Sequence, residues 1–231
     1  ISPENTLDSI ESAYKSGLDW VEIDVKISRD FVPILLHDDT LDRTTNGKGI
    51  PLNYNYSDLK KFDAGYFFYS YPTQIYIPTL REVIAFCKER NIGINIEIKS
   101  NLGFEKQNVE AVIKVINIMN YKKIYFSSFD WSSIIMIKEK LPNIECGLIV
   151  DDFNSKITID QVIEVCNQYQ LSSCGFNKKI INSEIINKMK NNNLIITVFD
   201  EESLKLKEVE NLYSSGVKSF FIDDPSEFKM V

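Results

Sequence analysis

The fold of this chain is decided by the stretch Trp20-Val-Glu-Ile-Asp-Val-Lys-Ile27. Its apolar and polar side chains alternate, which predicts a β-strand with one apolar face and one face that carries Glu22 and Asp24. A second apolar run, residues 32–36, follows after only a few residues. Because parallel strands need a crossover of about a dozen residues or more, these two strands should form an antiparallel hairpin.

Beyond the hairpin, short β-branched runs alternate with amphipathic helical patterns. Further strands are predicted at residues 92–98, 123–128, 145–150, 174–176, 194–199 and 218–222. Two of the intervening helices open with capping boxes, Thr79 with Glu82 and Thr158 with Gln161. This alternation predicts a parallel sheet covered by helices.

The number of parallel strands predicts the architecture. Seven parallel strands remain when the hairpin strand 32–36 is set aside. A helix precedes them, with Asn5 predicted as its N-cap and Gly17 as the residue that ends it. One more strand upstream of Ile1 would make eight, the number of a (β/α)8 TIM barrel of about 250 residues. We therefore expect an α/β fold, a barrel whose first strand is missing from this chain. It should form one domain over residues 1–231, with a small insertion over about 38–78.

Two of the predicted strands carry carboxylates on one face. In Asn95-Ile-Glu-Ile-Lys99 the polar face holds Glu97 and Lys99, as the strand at 20–27 holds Glu22 and Asp24. In a barrel the face towards the helices must be apolar, so these side chains should point inwards. Buried carboxylates without partners cost on the order of several kcal/mol, and a divalent cation, Mg²⁺ or Ca²⁺, would offset that cost. The pattern therefore predicts a metal site; the alternative is a surface strand with outward polar residues and no metal.

His37 is the only histidine in the sequence. It ends the second strand of the hairpin, which should place it near the same mouth as the carboxylates. That position suits a general acid or base beside a metal. The alternative is a structural histidine.

The composition is that of an ordinary globular protein. Apolar residues make up 44% of the 231 residues and the net charge is −7, without a basic run, which argues against a nucleic-acid partner. No apolar run is long enough for a transmembrane segment. Four cysteines without CxxC spacing, at 87, 146, 166 and 174, indicate reduced core thiols and favour a cytoplasmic location. Since the chain begins with Ile1, an upstream signal peptide could instead direct it to a secreted or periplasmic location.

Several longer motifs resemble those of the glycerophosphodiester phosphodiesterase family. They are Pro-Glu-Asn-Thr at 3–6, Val-Glu-Ile-Asp-Val at 21–25, His-Asp-Asp-Thr-Leu-Asp-Arg-Thr-Thr-Asn-Gly-Lys-Gly at 37–49, Pro-Thr-Leu at 78–80 and Glu-Ile-Lys at 97–99. Looser matches are Ser-Ser-Phe-Asp at 127–130, Thr-Val-Phe-Asp at 197–200 and Phe-Ile-Asp-Asp-Pro at 221–225. Together they span nearly the whole chain.

The resemblance implies hydrolysis of a small glycerophosphodiester to glycerol 3-phosphate and an alcohol. By the same match, Glu22, Asp24 and Glu97 bind the divalent metal. His37 is one of two catalytic histidines, and Lys99 contacts the phosphate.

The chain departs from the family pattern at two places. The family's His-Arg-Gly segment, which supplies the second histidine and a phosphate-binding arginine, does not occur in the sequence. At the end of the seventh strand, Phe199 and Asp200 stand where the family usually has Trp and Asn. Phe199 could line a substrate pocket or be a core aromatic. Asp223 falls on the family's closing Asp, where a turn or capping role is equally open.

Two other functions remain open from the sequence. One is a phospholipase D-type barrel that acts on lipid phosphodiesters, against which Glu rather than Asp at position 97 argues mildly. The aromatic stretch 66–71 could contact lipid, although we expect it to form the small core of the insertion. The other is a non-catalytic barrel that binds a phosphodiester or a protein. The sequence leaves the head group, the metal and the oligomeric state undetermined.

Overall fold

The computed structural model describes residues 1–154 and 157–228. The chain forms two compact units, the first over Ile1–Tyr125 and the second from Phe126 onward. Of the predicted domain, residues 155, 156 and 229–231 lie outside the described part.

Helices and strands alternate from the middle of the first unit to the end of the second. The strands are β1 Trp20–Ile27, β2 Pro33–Leu35, β3 Gly93–Ile98, β4 Ile124–Ser128, β5 Glu145–Val150, β6 Ser173–Asn177, β7 Ile195–Phe199 and β8 Ser219–Phe220. The helices are α1 Leu7–Lys15, α2 Tyr56–Leu59, α3 Tyr66–Tyr69, α4 Leu80–Arg90, α5 Glu105–Met119, α6 Trp131–Lys140, α7 Ile159–Gln168, α8 Ser183–Asn191 and α9 Leu206–Ser215. Short 3₁₀ helices lie at Pro51–Asn53, Lys178–Ile180 and Pro225–Phe228. This order confirms the α/β class.

In the first unit, β1 lies between β2 and β3. It pairs with β2 in antiparallel register, Val25 opposite Leu35, which confirms the predicted hairpin. It pairs with β3 in parallel register, Asp24 opposite Glu97. The register thus places two of the predicted metal ligands side by side.

In the second unit, strands β5 to β8 follow one another in chain order. All three pairings are parallel, as the alternation with helices predicts. The last strand is shorter than expected, since it covers Ser219–Phe220 of the predicted 218–222.

The insertion between β2 and α4 shares a small apolar core with β2. It is built from Ile34, Leu36, Leu41, Leu59, Ala64 and Ile77, with Tyr54 and Phe62 packed against them. The expectation that the aromatic stretch 66–71 forms this core is wrong. Phe67, Phe68 and Tyr71 are 48%, 50% and 58% exposed, because they lie on and just after the single turn α3, beyond the insertion's buried side chains.

The predicted capping boxes of α4 and α7 are confirmed, and the predicted N-cap of α1 is wrong. In both correct cases the threonine side chain accepts from the N3 backbone N–H, and the N3 side chain accepts from the threonine N–H. At α1 the N-cap is Thr6 rather than Asn5. Asn5 is engaged elsewhere, in the site described below.

All four cysteines are buried and free of disulfides. Burial raises the pKa of the Cys87, Cys146 and Cys166 thiols to about 12, so these groups stay protonated at neutral pH. They act as small apolar side chains of the core, as the spacing predicts. Among the described residues, no helix has the length and apolar character needed to cross a membrane.

Replacing Thr79 by Ala should lower the free energy of unfolding by about 1 kcal/mol, because it removes the side-chain acceptor of the Glu82 N–H at 3.1 Å. Thr158→Ala, which removes the matching bond to Gln161 at 3.3 Å, should cost a similar amount. Urea unfolding measures both. Ser214→Ala, whose hydroxyl bonds only within α9, is the control and should be close to neutral. Equal stability of all four proteins would contradict the capping assignment.

Candidate active site

Three carboxylates meet on the polar face of β1 and β3. Glu22, Asp24 and Glu97 each offer an oxygen within 4.8 Å of the others. Asp24 and Glu97 are only 5% and 7% exposed, and Glu22 is more accessible. The structure therefore brings together the three residues predicted to ligate a metal, by strand alternation and the register between β1 and β3.

The cluster carries more negative charge than its protein neighbours balance. The Lys99 ammonium lies 2.9 Å from Glu97 Oε1 and 3.7 Å from Asp24 Oδ1. Burial, reinforced by the nearby Asp24 carboxylate, nevertheless raises the pKa of Glu97 to about 7. Among the described residues, Glu97 Oε1 also has no hydrogen bond of good geometry beyond this ion pair.

The donor set fits a divalent cation. Three carboxylates in mutual reach supply the hard oxygen ligands that Mg²⁺ and Ca²⁺ take. A cation among them would remove the mutual repulsion that a single lysine leaves in place. The cluster can therefore hold a divalent metal.

Asn5 fixes the orientation of Asp24. Its Nδ2 donates to Asp24 Oδ2 at 2.8 Å, and its Oδ1 accepts from the Asp24 backbone N–H at 2.9 Å. Asn5 adopts the left-handed conformation, with φ of 55°, which Asn tolerates better than most residues. Sequence reasoning missed this role, although the Pro-Glu-Asn-Thr motif at 3–6 was the signal that could have found it.

His37 is held by a chain of charged side chains. Its Nδ1 lies 2.8 Å from Asp38 Oδ1. Asp38 also accepts two hydrogen bonds from Arg43, whose other face forms two 2.7 Å bonds to Glu4. These bonds from Arg43 hold the pKa of Asp38 well below its usual range. Since Asp38 is therefore an acceptor, we assign the proton to Nδ1 of His37, which leaves Nε2 able to accept a proton.

An open pocket of about 350 Å³ lies beside these groups. It is lined by Lys26, His37, Asp38, Asp39, Lys99 and Ser100. Two of the predicted site residues, His37 and Lys99, thus share one pocket wall. Sequence reasoning missed Lys26, although it continues the alternating face of Glu22 and Asp24.

Phe199 and Asp200 lie in the second unit, at the end of β7. The Phe199 ring packs edge-on against Phe129 and Phe221, with centroids 5.7 and 6.4 Å away. Asp200 forms an ion pair with Lys178, which also pairs with Glu208 at 3.0 Å. Phe199 therefore belongs to an aromatic cluster, and its predicted contact with substrate stays a prediction.

Fold and site together define an enzyme: a repeating βα scaffold, a buried acidic centre that can hold a divalent cation, and an oriented histidine on the adjoining pocket. The model of the glycerophosphoryl diester phosphodiesterase family matches residues 2–227, so the chain belongs to that family.

Individual relatives agree with the family match. A glycerophosphodiester phosphodiesterase of Caldanaerobacter subterraneus is 30% identical over 96% of this chain and 89% of its own length. One from Bacillus subtilis is 27% identical over 99% of this chain and 82% of its own.

A solved structure of an Oleispira antarctica phosphodiesterase, in complex with the product sn-glycerol-3-phosphate, superposes with a TM-score of 0.87 at 28% identity. It covers 96% of this chain and 88% of its own. This likeness confirms that the fold class is of the (β/α)8 barrel type.

The acidic cluster should bind Mg²⁺ more tightly at pH 8 than at pH 6. Without metal the pKa of Glu97 is about 7, so a proton competes with the cation below that pH and not above it. The expected loss of affinity from pH 8 to pH 6 is about tenfold for one competing proton. Isothermal titration calorimetry with MgCl₂ measures it.

Glu97→Gln should bind Mg²⁺ weakly at both pH values, because position 97 no longer titrates. Glu110→Gln, on the exposed side of α5, is the matched control and should behave as the wild type. A Glu97→Gln variant that kept the wild-type pH dependence would contradict the assignment.

Proposed function

We propose that this chain hydrolyses glycerophosphodiesters to glycerol 3-phosphate and an alcohol, as one catalytic domain. The observation that carries the proposal is the placement of Lys99 and the oriented His37 on one pocket, beside an acidic cluster that can hold a divalent metal. The sn-glycerol-3-phosphate bound to the Oleispira relative supports the choice of substrate.

Each residue of the site would have one task. Glu22, Asp24 and Glu97 would hold the metal, Mg²⁺ or Ca²⁺, which when bound supplies positive charge that stabilises the phosphoryl oxygens. The Lys99 ammonium, already 2.9 Å from Glu97, would contact a phosphoryl oxygen from the same side.

His37 would move the proton that the reaction requires. Attack of water on phosphorus breaks the bond from phosphorus to the alcohol oxygen and gives glycerol 3-phosphate directly. Attack by the neighbouring glycerol hydroxyl breaks the same bond and gives a cyclic phosphate, which water then opens to glycerol 3-phosphate. Nε2 of His37 can take the proton of the attacking group or give one to the leaving oxygen. The family resemblance implies that a second histidine trades roles with it. We further propose that Phe199 lines the substrate pocket.

Exposed aromatic side chains favour a second candidate, a phospholipase D-type action on lipid phosphodiesters. Phe67, Phe68 and Tyr71 lie on the surface of the insertion, and exposed aromatic rings of this kind suit an acyl chain or a membrane interface. Hydrolysis of lysophosphatidylcholine and not of glycerophosphocholine would favour this candidate.

The full-length protein should release glycerol 3-phosphate from glycerophosphocholine with Mg²⁺ or Ca²⁺, and excess chelator should abolish the release. His37→Ala should lower kcat by about 100-fold or more, because the proton transfer loses its acid or base. A coupled glycerol 3-phosphate dehydrogenase assay measures both. Release that persists in chelator would contradict the role of the metal, and no release with either ion would contradict the proposed reaction.

Asp38→Ala should lower kcat by about 10- to 100-fold and leave KM nearly unchanged, because His37 loses the acceptor that fixes its ring and its tautomer. Steady-state kinetics with glycerophosphocholine measure the two constants separately. Asp58→Ala, which removes only the exposed pair with Lys61, is the control. Wild-type kcat in Asp38→Ala would show that the contact does not orient the histidine for catalysis.

A further inference from the structure

Lys26 is the largest side chain that the described part of the chain buries almost completely. The residue is 1% exposed, although lysine is rarely buried without a partner. Its ammonium donates to Asp39 Oδ1 at 3.0 Å, and the Asp39 side chain is 89% exposed. An ion pair with so exposed a carboxylate is screened by water and gives little stabilisation to a buried lysine.

Lys26 lies beside Lys99 on the same face of the sheet. Val25 pairs with Ile98, and the Lys99 backbone N–H donates to the Val25 carbonyl at 3.1 Å. Lys26 and Lys99 are therefore the next residues of two neighbouring strands, about 4.8 Å apart in backbone spacing. Both continue the face that carries Asp24 and Glu97, and both line the same pocket.

Two ammonium groups on one pocket wall repel each other unless an anion lies between or beside them. Lys99 has Glu97 within 2.9 Å, so its charge is largely compensated. Lys26 lacks an equally buried carboxylate in the described structure.

The pocket lining also holds two carboxylates: Asp38, whose oxygens accept from Arg43, and Asp39, the exposed partner of Lys26. Lys26 is therefore the lysine of this lining whose described partner is an exposed carboxylate, one residue beyond the carboxylate cluster and beside His37.

We propose that Lys26 is a substrate-binding residue whose ammonium holds an anionic phosphoryl oxygen of the substrate and of the product. The inference rests on the proposed function for the identity of the anion, a phosphate monoester or diester. Lys26 would act with Lys99, each donating to a different phosphoryl oxygen. Its buried aliphatic stem would fix the ammonium in place, so that binding restricts the rotation of few further side-chain bonds.

A purely structural role would give Lys26 a different task. In that case it would hold Asp39, and through it the turn that follows His37. The two roles predict opposite results for Asp39→Asn. If Lys26 binds the anion, loss of the Asp39 charge should leave the affinity for phosphate unchanged or increase it. If Lys26 only anchors the turn, the same change should lower that affinity.

Binding of glycerol 3-phosphate, measured by isothermal titration calorimetry on the full-length protein, tests the proposal without turnover. Lys26→Met keeps the apolar stem and should weaken binding by about 10- to 100-fold, the range for loss of one charge-assisted hydrogen bond. Lys26→Arg should recover most of the affinity. Lys48→Gln, which removes an exposed pair with Asp42 in the same insertion, is the matched control and should bind as the wild type.

Kinetics with glycerophosphocholine add a second readout. Lys26→Met should raise KM by a similar factor and change kcat by less than about threefold, since the contact is made in substrate and product alike. Glycerophosphocholine could remain unhydrolysed while Lys26→Met still loses affinity for glycerol 3-phosphate. That result would contradict the proposed reaction and support Lys26 as an anion ligand.

Wild-type affinity and KM in Lys26→Met would overturn the role of Lys26 alone. An affinity of Asp39→Asn below that of the wild type would also overturn it. Asp39 is exposed and its substitution should not disturb folding, so Asp39→Asn decides the question even if Lys26→Met does not fold.

Discussion

The burial of carboxylates on two adjacent parallel strands is the constraint on which the rest of the site depends. β1 and β3 each alternate apolar and polar residues, and their register sets Asp24 against Glu97 with Glu22 one step away. Desolvation and mutual repulsion of these groups must be offset by partners. Lys99 supplies one charge, Asn5 supplies a hydrogen bond to Asp24, and a divalent cation fits what remains.

The segments around the cluster are tied to one another through charged hydrogen bonds. Arg43 joins Glu4, which precedes α1, to Asp38, which follows β2. Asn5, the neighbour of Glu4, holds Asp24 on β1. These hydrogen bonds therefore connect the segment before α1, the strand that carries Glu22 and Asp24, and the turn that carries His37. Such a set of hydrogen bonds limits the movement of His37 relative to the carboxylates.

The insertion between β2 and α4 adjoins the site. It begins directly after the turn that carries His37 and Asp38, and it packs on Ile34 and Leu36 of the hairpin. Its buried side chains form a small core, while Phe67, Phe68 and Tyr71 remain on the surface. One segment thus packs against the hairpin and presents apolar rings outward.

The sequence by itself determined the strands, the hairpin, two helix caps and the face on which Glu22, Asp24 and Glu97 lie. These follow from local rules, since alternation with period two and capping boxes act within a few residues. Tertiary structure decided the partners. Asn5 carries an N-cap signal, but it bonds Asp24 on β1 and leaves the cap to Thr6. Lys26 becomes a pocket residue, and the aromatic stretch 66–71 becomes exposed, because long-range register and the path of the insertion select which side chains meet. The alternation of β1 places Lys26 on the face of Glu22 and Asp24, but it does not specify which side chains of other segments meet it.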